Sequence, residues 1–230
     1  KVNNTVIDGN ALPEKWYHNL HMDSLILLNK PMNILSQFSD DGAKRGLTHL
    51  LKAPHYRVAG RLDSDSEGLL VLTKNGKLQS HLTSPKHITW KYYWVQVEGE
   101  ITQSAIEQLG TGLVLNDGLT LPAKVEKMTP PVLWDREPPI RYRAQVPTSW
   151  LSIGLCEGRN RQIRRMTAAV GFPTLRLVRH QVGEFKLESL MPGEYRSVEI
   201  PSRFSLAFTT STKKRRSYAP NVSSPTRIRS

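Results

Sequence analysis

Cysteine is nearly absent from this chain of 230 residues, in which Cys156 stands alone. One cysteine cannot form an internal disulfide, and a catalytic thiol would need an activating base that the sequence does not supply nearby, so Cys156 reads as a small strand residue. Long apolar runs are also missing. Stretches such as Leu69–Leu72 fall far short of the roughly 20 residues needed to cross a bilayer. The opening KVNNTVIDGN lacks the charged-then-apolar layout of a signal peptide, so the cytoplasm is the expected compartment and no membrane partner is expected. Neither GxxxxGK[ST] nor GxGxxG occurs, which argues against a bound nucleotide cofactor. The seven histidines, at 18, 21, 49, 55, 81, 87 and 180, form no HExxH or Cys/His pattern, and His18 and His21 lie in an unpatterned leader. The sequence therefore points to no metal and no cofactor.

Acid is in short supply as well. Lys and Arg number 32 against 20 Asp and Glu, for a net charge of +12, which favours a polyanionic partner, nucleic acid before membrane. Residues 203–230 hold Arg203, Lys213, Lys214, Arg215, Arg216, Arg227 and Arg229 and no acid, so that segment carries +7 and residues 1–202 the remaining +5. A tail rich in Ser, Thr and Arg cannot bury enough apolar surface to fold alone and reads as disordered.

What the chain does have is a set of short β-rich runs. SLILLNKP, from Ser24, is an apolar strand that stops at a proline, and a short helix is expected over Leu47–Leu51. YRVAGRLD and GLLVLT read as strands joined by the turn SDSE, and KLQSHLTSP as a short helix ended by Pro85. In the second half KYYWVQVEG is a strand. TQSAIEQLGTG is a helix capped by Thr102 and stopped at Gly110. Two more strands are read from alternation. One is IRYRAQV, with Ile140, Tyr142, Ala144 and Val146 on one face; the other is WLSIGLCEG, burying Leu151, Ile153 and Leu155. The expected fold is α+β, a mostly antiparallel, mixed central sheet in two lobes with flanking short helices and an RNA-binding cleft. The lobes are expected at about 24–88 and 89–202, between a polar leader, 1–23, and the basic tail, 203–230.

Two segments concentrate unusual residues. GRLDSDSEGLL sets Asp63, Asp65 and Glu67 in one turn, and a helix start there fits poorly because Glu67 is followed by Gly68 and a strand. EGRNRQIRRMTAAVG, if helical from Asn160 to Val170, places Ile163, Met166 and Val170 on one face and Arg161, Arg164 and Arg165 on the other. Beside a basic tail, such an arginine face suggests a nucleic-acid surface.

LLNKP (27–31), GRLDSDSEGLLVLT (60–73), KYYWVQVEG (91–99), EGRNRQIRRM (157–166) and LMPGEYRSV (190–198) occur in an order and spacing that resemble RsuA-type pseudouridine synthases. The resemblance spans roughly residues 24–200. It implies cofactor-free isomerisation of a specific uridine in ribosomal RNA, that of the large subunit, by breaking the N1 to C1′ bond and rejoining the base through C5. It makes Asp63 the essential carboxylate, Tyr93 the residue that stacks on the base or moves the C5 proton, and Arg164 the partner of the aspartate. Arg61 and Lys91 join Asn160, Arg161, Gln162 and Arg165 as residues expected to hold the RNA. Asp65 and Glu67 fall at variable motif positions and are given no role. No RNA-binding module of the S4 type is expected before LLNKP, and a monomer is the default. The chemistry is consistent: a carboxylate can attack C1′ or deprotonate C2′ without a metal, provided a guanidinium keeps it charged and aimed. A base taken from its stack needs an aromatic platform.

Overall fold

The first strand, β1 (Ser24–Lys30), is buried along its whole length, as is β3 (Glu67–Thr73). Leucine, isoleucine and valine on both faces leave such strands no solvent side, so they take the middle of a sheet covered on both sides. A computed structural model describes residues 24–140, 143, 145–202 and 204. The leader with His18 and His21, and nearly all of the basic tail, lie outside the described residues. The described residues up to Ile200 form one compact unit.

Between these strands come a 3-10 turn (Leu47–His49) and the short β2 (Arg57–Val58). After β3 follow α1 (Gly76–Thr83), β4 (Lys91–Glu98), α2 (Gln103–Thr111), the hairpin β5 (Val114–Leu115) and β6 (Gly118–Leu119), and β7 (Lys124–Met128). The chain closes with β8 (Thr148–Leu155), α3 (Gln162–Ala169), β9 (Thr174–Val182), β10 (Phe185–Lys186) and β11 (Tyr195–Glu199). A nine-stranded sheet runs β11-β1-β3-β9-β4-β8-β7, with β10 on β9 and β2 on β3. Its only parallel pair among the described residues is β3 with β9, at Glu67 opposite Val178 and Gly68 opposite Arg179. The α+β, mostly antiparallel sheet with few short helices is thus the observed architecture. The sheet is continuous, and β11 pairs along β1 from Ser24–Glu199 to Leu28–Tyr195, so the last strand among the described residues closes the edge of the expected first lobe.

Local signals explain most element ends. Asn75 caps α1, its side chain accepting from the Lys77 and Leu78 amides, and the Thr102 hydroxyl accepts from Ala105 N at 3.2 Å at the start of α2. That helix runs past Gly110 to Thr111 and ends where Gly112 adopts φ +104°. The stop expected at Gly110 therefore falls two residues late, at the glycine that turns left-handed. The strand expected over 140–146 is not formed by its described members. Val146 N bonds Arg143 O at 3.0 Å in a turn, and Pro138, Pro139 and Pro147 supply no amide to a ladder. The edge position is taken by β7, whose KVEKM hides only Val125 and Met128 in part.

Two cores meet on one sheet face. Ile26, Leu28, Leu70 and Leu72 pack with Leu47, Leu51 and Leu62. Val95, Val97, Leu151, Ile153 and Leu177 pack with Ala105 and Leu109 of α2 and Ile163 and Met166 of α3. Each fully buried leucine contributes about 1.5–3 kcal/mol by leaving water. Tyr93 touches both cores, which puts it where the sheet opens into a cleft.

Candidate active site

The turn between β2 and β3 is fixed by its backbone carbonyls. Ser66 N closes it on Asp63 O at 3.1 Å, and Asn33 N bonds Ser64 O at 2.7 Å. Ser36 Oγ donates to Leu62 O at 2.7 Å and accepts from Leu62 N at 2.9 Å. Buried cations hold the rest. Arg179 on β9, 3% exposed, donates to Leu69 O (2.8 Å), Gly60 O (2.9 Å) and Arg61 O (3.5 Å), tying together the chain on either side of the turn. At Gly68, with φ +103°, a Cβ would lie 2.3 Å from Arg179 O, so only glycine lets the two strands approach. Lys30 is fully buried and donates to Pro31 O and Ile34 O at 2.7 Å and to Ser64 O at 3.4 Å. Burial pulls its pKa down to about 7, against the opposing pull of Glu67 and Asp65. A hydrogen bond to a charged donor contributes about 1.5–3 kcal/mol, so several of them make this a stiff support.

The three acids of the turn have separate surroundings. Glu67, 2% exposed, receives Arg176 Nε at 3.0 Å and Nη2 at 2.9 Å, and Trp134 Nε1 at 2.8 Å. Asp65 receives a two-pronged Arg161 at 3.0 and 2.8 Å. Arg164 Nη2 donates to the Asp65 carbonyl at 2.7 Å, its Nε lying 3.5 Å from the Asp65 carboxylate. Burial pushes the Asp65 carboxyl up, but the Arg161 hydrogen bonds and the Arg164 and Arg161 charges outweigh it, leaving it below the usual carboxylate range. Asp63 alone faces the cleft. Its carboxylate accepts no hydrogen bond among the described residues, and Arg161 Nη1 stands 3.7 Å away.

That cleft, of about 460 Å³, is lined by Asp63 and by Arg61, Lys91, Tyr93, Asn160, Arg161 and Gln162, and its volume suits a nucleotide. Arg164 and Arg165 do not line it. The expected pairing of Arg164 with Asp63 is replaced by Arg164 on Asp65, because helix α3 begins only at Gln162 and its N-cap Arg161, at φ +47°, reaches the turn first. Arg161, expected to meet phosphates, is engaged by Asp65. Arg165 is held by Asp117 of the hairpin at 2.9 Å through both nitrogens, which brings the Asp117 carboxyl down to about 2. Gln162 is buried, its amide bonded to Glu157 Oε1 and to Arg159 N, so it braces the loop. Lys91 is half-buried and its pKa is lowered by burial and by Arg179. Among the described residues no three His, Cys, Asp or Glu side chains group as a bound ion would require.

Lys30, Asp65, Glu67, Arg176 and Arg179 were not legible as site residues. For Lys30, Arg176 and Arg179 the one signal is a cation inside an apolar strand, LLNKP or TLRLVRH, where only a paired charge can remain; Asp65 and Glu67 showed only as neighbours of Asp63 in the acidic turn.

A carboxylate on a well-braced turn, a tyrosine and several cations around a nucleotide-sized cleft suit an enzyme that acts on a polyanion. The family described as RNA pseudouridylate synthase matches residues 24–169. The ribosomal large subunit pseudouridine synthase E of Vibrio vulnificus (strain CMCP6) is 53% identical over 178 residues, 77% of this chain and 76% of its own length. The protein of that name from Xanthomonas campestris pv. campestris (strain ATCC 33913) is 53% identical over 175 residues, 75% of this chain and 94% of its own. A crystal structure of a pseudouridylate synthase superposes with a TM-score of 0.62 at 30% identity, over 76% of this chain and 70% of that one. The chain belongs to the RNA pseudouridylate synthase family, of the RsuA type, and is an RNA pseudouridine synthase, an isomerase.

Proposed function

We propose that the enzyme converts a specific uridine of large-subunit ribosomal RNA to pseudouridine, without a cofactor, using Asp63 as the catalytic carboxylate. One observation carries the assignment of Asp63: of the three acids in the turn, it alone enters the cleft, its carboxylate accepting no hydrogen bond among the described residues, while Asp65 and Glu67 are committed to arginines. The relatives named for the large ribosomal subunit support the choice of RNA. The reaction breaks the N1–C1′ bond, forms C5–C1′, removes the C5 proton and returns a proton to N1. Asp63 begins it by attacking C1′ or by taking the C2′ proton. Tyr93, from the cleft face of β4, stacks on the flipped base or helps to move the C5 proton. Arg161, steadied by Asp65, sets its guanidinium 3.7 Å from the Asp63 carboxylate and helps to aim it. Arg164 fixes the Asp65 backbone. Arg61, Lys91 and Asn160 meet the nucleotide and its phosphates, Gln162 holds the loop that presents Asn160, and Arg165 meets RNA on leaving Asp117. The working unit in this reading is a monomer acting in the cytoplasm.

The test maps pseudouridines on ribosomal RNA from cells lacking the protein, complemented with wild type or Asp63→Asn. A large-subunit site should vanish, return with wild type and stay absent with Asp63→Asn. Return of the site with the variant contradicts the role of Asp63, and loss of a small-subunit site instead contradicts the choice of RNA.

A further inference from the structure

Strand β4 has two working faces. Lys91 and Tyr93 line the cleft, so the alternating Tyr92 and Trp94 stand on the other side of the sheet, away from the core with α2 and α3. There Tyr92 lies opposite Gly154 of β8, which lies opposite Lys124 of β7. A Cβ on Gly154 would come within 2.7 Å of the Tyr92 ring, so the glycine is the space in which that ring rests against the sheet. Trp90 stacks with Tyr92 at 6.2 Å and 25°, and Trp94 with His180 of β9 at 4.3 Å and 10°. The Lys124 ammonium sits 4.4 Å from the Trp90 ring centre and 5.8 Å from that of Tyr92. Lys124 has no acidic partner among the described residues and bonds only the Tyr92 hydroxyl, at 3.3 Å. All three indole and phenol rings keep part of their surface in solvent. The His180 Nε2, though buried, has no hydrogen-bond partner. Burial, with Lys186 nearby, lowers the pKa of this ring to about 4, so it is a neutral aromatic surface at neutral pH.

A packed core has no use for an unpaired ammonium over rings that are still partly wet. Flat π-surfaces next to a free cation are what a single-stranded nucleic acid requires, since every base can stack and every phosphate needs a positive charge. We propose that Trp90, Tyr92 and Trp94 with Lys124 form a second RNA-binding platform, on the sheet face opposite the cleft, that takes unpaired nucleotides without reading their sequence. It rests on RNA being this family's substrate and not on which uridine is modified. The strand that carries Tyr93 to the target thus carries the platform on its back.

The experiment measures binding of a fluorescein-labelled oligouridylate dodecamer over a salt series, with melting temperatures as a check on folding. Tyr92→Ala should weaken binding about tenfold. Lys124→Ala should lower the slope of log affinity against log salt by about one. Lys127→Ala removes an equal charge from the same strand, but there the residue pairs with Glu100 and faces the other side, so its slope should match wild type. Should Tyr92→Ala fail to fold, the exposed Lys124 and Lys127 variants decide alone. Equal slopes in those two, or wild-type affinity in a folded Tyr92→Ala, overturn the platform. Product formation is not read, so failure of the uridine assignment leaves these outcomes unchanged.

Discussion

The two walls of the cleft are built on opposite plans. The turn wall, residues 60–67, is held from behind by Lys30, Arg176 and Arg179, buried cations bonded to backbone carbonyls and to Glu67. The facing wall, the loop before α3, is braced on the β5–β6 hairpin by exposed and half-buried pairs: Arg165 with Asp117, and Arg159 with Glu157, Asp117 and the carbonyls of Gly118 and Leu119. Water and salt weaken exposed pairs and hardly touch buried ones. The wall that carries Asp63 is therefore stiff, while the other wall keeps its arginines on partners that water and salt can loosen.

The largest effect is expected where the stiff wall is cut. Glu67→Ala leaves Arg176 and the Trp134 indole unpaired in the interior and should cost about 3–5 kcal/mol, read from chemical denaturation. Asp65→Asn removes one prong of the Arg161 fork and the charge that steadies both Arg161 and Arg164. Turnover on ribosomal RNA should fall about tenfold or more, with melting changed less than in the Glu67 variant.

Lys30 gives the third expectation, and its sign follows from its pKa. The unfolded chain keeps this proton to the ordinary 10.5 and the folded chain only to about 7, so the unfolded state binds more protons between those values. Stability from this group therefore rises with pH across that window, and the burial cost is fully present below it. Denaturation at about pH 7 and about pH 9 should show that rise in wild type and lose it in Lys30→Met. The smallest effect belongs to the loose wall: Asp117→Asn should leave the unfolding midpoint within error and tighten RNA binding, because Arg159 and Arg165 are freed. A large drop in stability there would erase the contrast between the walls.

Much of this was legible in the chain. The apolar runs of β1 and β3, the cap Thr102 and the arginine face of α3 follow from short-range chemistry, and the meeting of Asp63 with Tyr93 in one cleft from motifs. What was not legible depends on long-range pairing. Glu67 meets Arg176 only because β3 and β9 run parallel side by side. Arg161 reaches the turn before Arg164 because it caps its helix in a left-handed conformation, which no periodicity indicates. The alternation at 140–146 misled because it ignored the prolines on either side.

The central claim is that Asp63 alone of the turn's acids performs chemistry. Single-turnover conversion of a large-subunit ribosomal RNA transcript, with enzyme in excess, compares Asp63→Asn with wild type at matched RNA affinity. The expected result is no pseudouridine from a folded, RNA-binding Asp63→Asn protein. Product formed by that variant at a rate near wild type would contradict the account.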